Sequence, residues 1–132
     1  MDSASEAPAA PADLGLLLCR DLFFVSKVTG TAAALGCRVE VVCDAASAET
    51  RLAQGGVRGV MIDLSLPIAA EDVADLVSVA RRHGVASVLA FGSHVAQERL
   101  SAAAKAGCGD VYPKSRFAAQ LPQILKRCLG PR

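Results

Sequence analysis

The side chains able to do chemistry stand where apolar runs of the chain break off. Cys19, Arg20 and Asp21 follow the first run, Asp63 the third, Gly92 and Ser93 the fourth, and Lys114 the fifth. Carboxylates and cations gathered at one edge can neutralise one another. A cysteine before a helix can supply a thiolate, because a helix amino terminus lowers the thiol pKa. The plainer alternatives are a small apolar filler at Cys19 and a strand-ending carboxylate at Asp63. His83 and His94 fall at a helix end and a helix start, where dipole and solvent roles suffice. Gly55-Gly56 and Gly107-Cys108-Gly109 read as turns, since neither matches a phosphate-binding loop.

These residues need a scaffold, and the apolar pattern provides one. Residues 1–13, rich in Ala, Pro, Ser and Asp, predict a disordered leader, and 14–132 a single domain. Short apolar runs over Leu14 to Cys19, Arg38 to Cys43, Val57 to Ile62, Ala86 to Phe91 and Asp110 to Tyr112 predict five strands. They are nearly continuous, as suits strands covered on both faces, and the intervening segments are long enough for crossover helices. The expected fold is α/β, a doubly wound five-stranded parallel sheet. Phe24, Val28 and Ala32 share one face of the first helix, which stops at Gly36. Asp44 caps the second, which stops at Gln54-Gly55-Gly56. Val73, Leu76, Val77 and Ala80 stripe the third. Ser93 or His94 is expected to open a fourth helix running to Gly107, and Ser115 to cap a fifth bearing Phe117, Leu121, Ile124 and Leu125. In such sheets, functional groups collect at the carboxyl edge near the switch in strand order.

Composition narrows the function classes. The chain has 132 residues, a net charge of +1, 52% hydrophobic and 4% aromatic residues, and no Trp. Near-neutral charge and scarce aromatics leave neither a basic track nor a stacking platform for nucleic acid. Arg20, Arg51, Asp63, Asp72 and Arg81 interrupt the apolar segments before any reaches a membrane-spanning length. Without a basic region and apolar core, the amino terminus does not read as a signal peptide, so a cytoplasmic protein is expected. Cys19, Cys37, Cys43, Cys108 and Cys128 are odd in number and contain no C-x-x-C pair, which argues for reduced thiols and against zinc.

From Leu14 to Leu129 the chain resembles the receiver domain of two-component response regulators. Asp63-Leu64-Ser65-Leu66-Pro67 matches the family's phosphoacceptor Asp with Pro four residues later. Lys114 stands at the family's lysine position, with Ala106-Gly107 before strand five. Counting back from Leu35-Gly36 places Cys19 and Arg20 on the family's paired acidic positions. The resemblance implies a site in which three carboxylates hold magnesium, the strand-three Asp attacks a phosphoryl group and the lysine pairs with the phosphate. Such chemistry needs a divalent cation, because phosphoryl group and carboxylate repel one another.

Here the acidic pair is degenerate. Arg20 could send its donor fork to Asp63 and fill the metal's space, or face solvent; Asp21 is a possible replacement acid. Gly92 takes the place of the family's hydroxyl residue, with Ser93 one position beyond. Val111 takes the place of the switch aromatic, with Tyr112 displaced by one, and Pro113 precedes the lysine instead of following it. The expectation is a pseudo-receiver: a stand-alone bacterial signalling domain, not an enzyme, acting through protein partners as monomer or homodimer. It would hold no cofactor, with magnesium only if Asp21 and Asp63 suffice. The resemblance places the partner surface on helix four, strand five and helix five; Val95, Tyr112 and Phe117 are candidate anchors there, although a stripe of this type is more often core than interface. The alternatives are a conventional phosphoacceptor using Asp63, and a small flavodoxin-like ligand-binding module or enzyme. A phosphatase-type use of Cys19 is disfavoured because Val25, not Arg, stands six residues on.

Overall fold

The computed structural model describes residues 14–130, so the expected leader over 1–13 lies outside the described residues. Three apolar strands, β1 (Leu14–Leu18), β3 (Gly59–Asp63) and β4 (Ser87–Gly92), are buried almost throughout and make the middle of one sheet. Strands β2 (Arg38–Val42) and β5 (Asp110–Pro113) flank them and are half-exposed. All neighbours pair parallel in the order β2-β1-β3-β4-β5. The continuous-run reading therefore holds for the three inner strands. The edges depart from it because each edge strand has a neighbour on one side only.

Side-chain alternation along each strand divides the core in two. Leu16, Leu18, Val60, Ile62, Val88 and Ala90 meet the aliphatic faces of α2 (Ala45–Ala53), α3 (Ala70–Arg82) and α4 (Gln97–Lys105). Leu17, Cys19, Met61, Leu89 and Phe91 point the other way. They meet α1 (Leu22–Ala34), α5 (Lys114–Ala119) and α6 (Leu121–Leu129). This second side holds the stacked rings of Phe91 and Phe117, 4.2 Å apart at 7°, with Phe24 5.2 Å from Phe91.

Local signals explain most boundaries. Asp44 accepts from the Ser47 amide at 2.8 Å and caps α2, as expected. Gly36 and Gly84 take positive φ directly after the ends of α1 and α3, where a Cβ would be strained. Three expectations need correction. Helix α4 begins at Gln97 because Ser93 is used in a local turn, its hydroxyl accepting from Val95 N at 3.3 Å. The expected fifth helix is two helices broken at Gln120. Pro122 lacks an amide hydrogen and its ring would clash with the Ala118 carbonyl, so one continuous helix cannot form. Ser115 lies inside α5, whose start at Lys114 has no side-chain cap.

Candidate functional site

The strand order reverses at β1, which lies between β2 and β3, and that opens a crevice beyond the carboxyl ends of β1 and β3. A cleft of about 520 Å³ occupies it, lined by Arg20, Asp21, Asp63, Ser65, Pro67 and Lys114. Four of the residues picked out by type and spacing thus converge from three segments of chain.

Asp63 ends β3 and is 2% exposed. A buried carboxylate requires donors and countercharge; two residues donate to it and a third supplies the charge. The Cys19 thiol donates to Oδ2 at 3.2 Å. The Ser65 amide donates to Oδ1 at 2.9 Å, and the Ser65 hydroxyl bonds the same oxygen. The Lys114 ammonium stands 3.9 Å from Oδ2. Lys114 also lies 3.8 Å from Asp21 Oδ2 and 4.9 Å from the Phe24 ring centroid, bridging two carboxylates over an aromatic face. Asp21 caps α1 through its other oxygen, accepting from Phe24 N at 3.2 Å.

The expected Arg20–Asp63 pair is not what forms. Arg20 Nε donates to the Cys43 carbonyl at 3.1 Å, and among the described residues the cation beside Asp63 is Lys114. The reason lies in the two-residue period of the strands. Leu17 pairs with Met61 and Leu18 with Ile62, so Cys19 and Asp63 leave β1 and β3 on the same side of the sheet. Arg20, one residue on, turns toward the end of β2.

Cys19 is not a thiolate. Burial pushes its pKa up from 9.0 to about 11, and the adjacent Asp63 carboxylate reinforces the protonated form. The thiol is a hydrogen-bond donor, not a nucleophile.

The cleft does not suit magnesium, which asks for hard oxygen ligands in near-octahedral array. A thiol already donating to Asp63 replaces one acid, an outward-turned guanidinium replaces the other, and an ammonium stands between the remaining carboxylates. Among the described residues no group of three or more His, Cys, Asp or Glu side chains is arranged to hold a metal ion.

The other expected site residues separate. Gly92 ends β4 with no hydroxyl, and a Cβ there would stand 3.1 Å from Leu64 Cβ. Ser93 is exposed and serves its own turn. Val111 packs with the aliphatic side, whereas Tyr112 lies on the aromatic side, its hydroxyl accepting from Arg127 at 2.6 Å. Tyr112 and Phe117 are core residues on the aromatic side, the commoner of the two readings of such a stripe. Val95 remains 78% exposed.

Ser65 was not singled out in the sequence, although Asp followed two residues later by Ser is the signature of a side chain closing its own turn. Leu22 and Phe23, 81% and 79% exposed where α1 begins, were also missed. They lie off the face set by Phe24, Val28 and Ala32.

The comparisons with known proteins bear on this geometry. No family model matches the chain, and no curated protein sequence matches it. Solved structures do. The receiver domain of the sensor histidine kinase PA1611 from Pseudomonas aeruginosa PAO1, with magnesium coordinated in its active-site cleft, superposes with a TM-score of 0.73. It is 21% identical over 90% of this chain and 98% of its own. The receiver domain of Ssk1 from Saccharomyces cerevisiae, co-crystallised with the histidine phosphotransfer protein Ypd1, gives 0.74 at 14% identity over 92% of each chain. HP1043, an orphan response regulator of H. pylori, gives 0.73 at 16% identity over 92% of this chain and 99% of its own. The chain has the receiver fold of response regulators. Within that fold, Asp63 and Lys114 meet at the crevice, while positions 19 and 20 carry no acid. Among the described residues no helix is long and apolar enough to cross a membrane.

Proposed function

We propose that this receiver fold is a signalling domain that works by protein–protein interaction, without catalysis and without magnesium-dependent phosphorylation of Asp63. The single observation that carries the reading is the Cys19 thiol donating to Asp63 Oδ2 at 3.2 Å. Phosphoryl transfer to a carboxylate needs a divalent cation to screen the two anions. Here donors from Cys19 and Ser65, with the Lys114 ammonium as countercharge, already serve that carboxylate. The domain would meet its partner in a bacterial cytoplasm, as monomer or homodimer, through the side formed by α4, β5 and the helices after it. The exposed Val95 supports that choice of surface. Neither nucleic acid nor membrane is a partner in this reading.

A second reading, a phosphoacceptor receiver, is favoured by one observation: Asp21, Asp63 and Lys114 converge on an open cleft. Incubation with a small-molecule phosphodonor and magnesium, followed by intact-mass measurement, separates the two. The proposal expects an unmodified chain. A mass increase of one phosphoryl group, abolished by Asp63→Asn, would establish the second reading. In a companion variant carrying Cys19→Asp and Arg20→Asp, magnesium should raise the melting temperature, as a ligand binding only the native state does.

A further inference from the structure

Helices α3 and α4 pack against each other without filling all the space between them. A groove of about 220 Å³ remains between them, lined by Leu64, Ile68, Val73, Ala102 and Ala103 among others. Val73 stands on one wall and Ala102 and Ala103 on the other. At the end of the groove nearest Asp63 a long side chain reaches from α4 to the loop before α3. Arg99, on the first turn of α4, donates through Nη2 to the Leu66 carbonyl at 2.9 Å and to the Ile68 carbonyl at 3.2 Å.

Both acceptors belong to the segment that leads from Asp63 to α3. Inside it the bonds are sequential. Ile68 N donates to Leu66 O at 2.8 Å, Leu66 N to Asp63 O at 3.3 Å, and Ser65 N to Asp63 Oδ1 at 2.9 Å. From the β4 side the segment is tied by Leu64 N to Phe91 O, and Gly92 contributes no side chain. A guanidinium bonded to two backbone carbonyls is charge-assisted and directional. It is therefore a prominent polar tie between α4 and the backbone that places Ser65 against Asp63.

We propose that Arg99 is a positioning residue: it couples α4 to the Asp63 loop, so that a displacement of either element is felt by the other. The coupling acts through Leu66 and Ile68 and does not depend on whether Asp63 accepts a phosphoryl group. A partner engaging α4 would thereby alter the setting of Ser65 and Asp63 without touching them.

The test uses amide exchange and chemical shifts in the full chain, with no phosphodonor present. Arg99→Met should speed exchange at the Leu66 and Ile68 amides about tenfold, the size expected for losing bonds to a charged donor. Amides of β2 should stay unchanged, and Arg99→Lys should restore part of the protection. If Arg99→Met fails to fold, Arg99→Gln serves the same comparison. Reciprocity supplies the second arm. Ser65→Ala should shift the Leu100 and Ala103 amides in the parent protein, and that response should vanish in the Arg99→Met background. Unchanged loop exchange, acceleration spread uniformly through the molecule, or a Ser65→Ala response that survives without Arg99 would each overturn the proposal.

Discussion

The two sides of the sheet are built on different terms. On the aromatic side α6 lies hard against the strands. A Cβ at Gly15 would stand 2.9 Å from the Leu129 side chain, and one at Gly59 would stand 2.9 Å from the Cys128 carbonyl. There Phe24, Phe91 and Phe117 cluster, with Lys114 over the Phe24 ring. On the aliphatic side the α3–α4 groove stays open, and a polar strap reaches from α4 to the loop before α3. Asp63 sits at the boundary. Its side chain is anchored from the tight side by Cys19 and Lys114, and its loop is held from the loose side by Arg99. Close packing and an open groove thus lie on opposite faces of one sheet.

Substitutions can break that contrast. The largest loss is expected from Phe117→Ala, which empties the centre of the aromatic stack; denaturant unfolding should show about 3–5 kcal/mol. Alkaline titration comes next. Cys19 and Cys128 on the tight side and Cys108 on the other are all raised by burial from 9.0 to about 11. Because the folded values lie above the unfolded one, their contribution is fully present below about pH 9 and fades as the pH climbs toward 11. The loss is of order 2–3 kcal/mol per ionised thiol. In the native protein near neutral pH, a thiol reagent should label the exposed Cys43 well before these three.

Gly59→Ala should cost about 1–3 kcal/mol, since α6 backbone must give way. The matched insertion on the loose side, Ala102→Leu, points into the groove and should shift stability by less than about 1 kcal/mol. An equal loss at both positions would erase the distinction between the faces. The smallest effect is expected for Arg20→Ala, within about 0.5 kcal/mol, because the exposed bond to the Cys43 carbonyl replaces any buried pair with Asp63.

Much of this was legible in the residues. Apolar runs with helical segments between them point to a parallel α/β sheet, and Asp63 and Lys114 meet because both stand at the carboxyl edge of that sheet, after β3 and after β5, with β4 between them. Arg20 was not legible in the same way. Near a strand end a single residue decides which side of the sheet a side chain takes, and apolar patterning marks the run without marking its last residue. The break before Leu121 had a signal, Pro122, but the apolar spacing of Phe117, Leu121 and Ile124 suits one continuous helix and outweighed it. The Arg99 strap joins residues 31 and 33 positions apart, and no local pattern announces such a bond.

The central claim is that Asp63 is held by donors of its own chain where a metal would otherwise be needed. The Ser65 amide, bonded to Asp63 Oδ1, is the natural reporter. A magnesium titration followed by amide NMR should leave Ser65 and its neighbours Leu64 and Leu66 unmoved, apart from changes reproduced by a monovalent salt at equal ionic strength. A saturable shift confined to those amides, and lost in Asp63→Asn, would contradict the account.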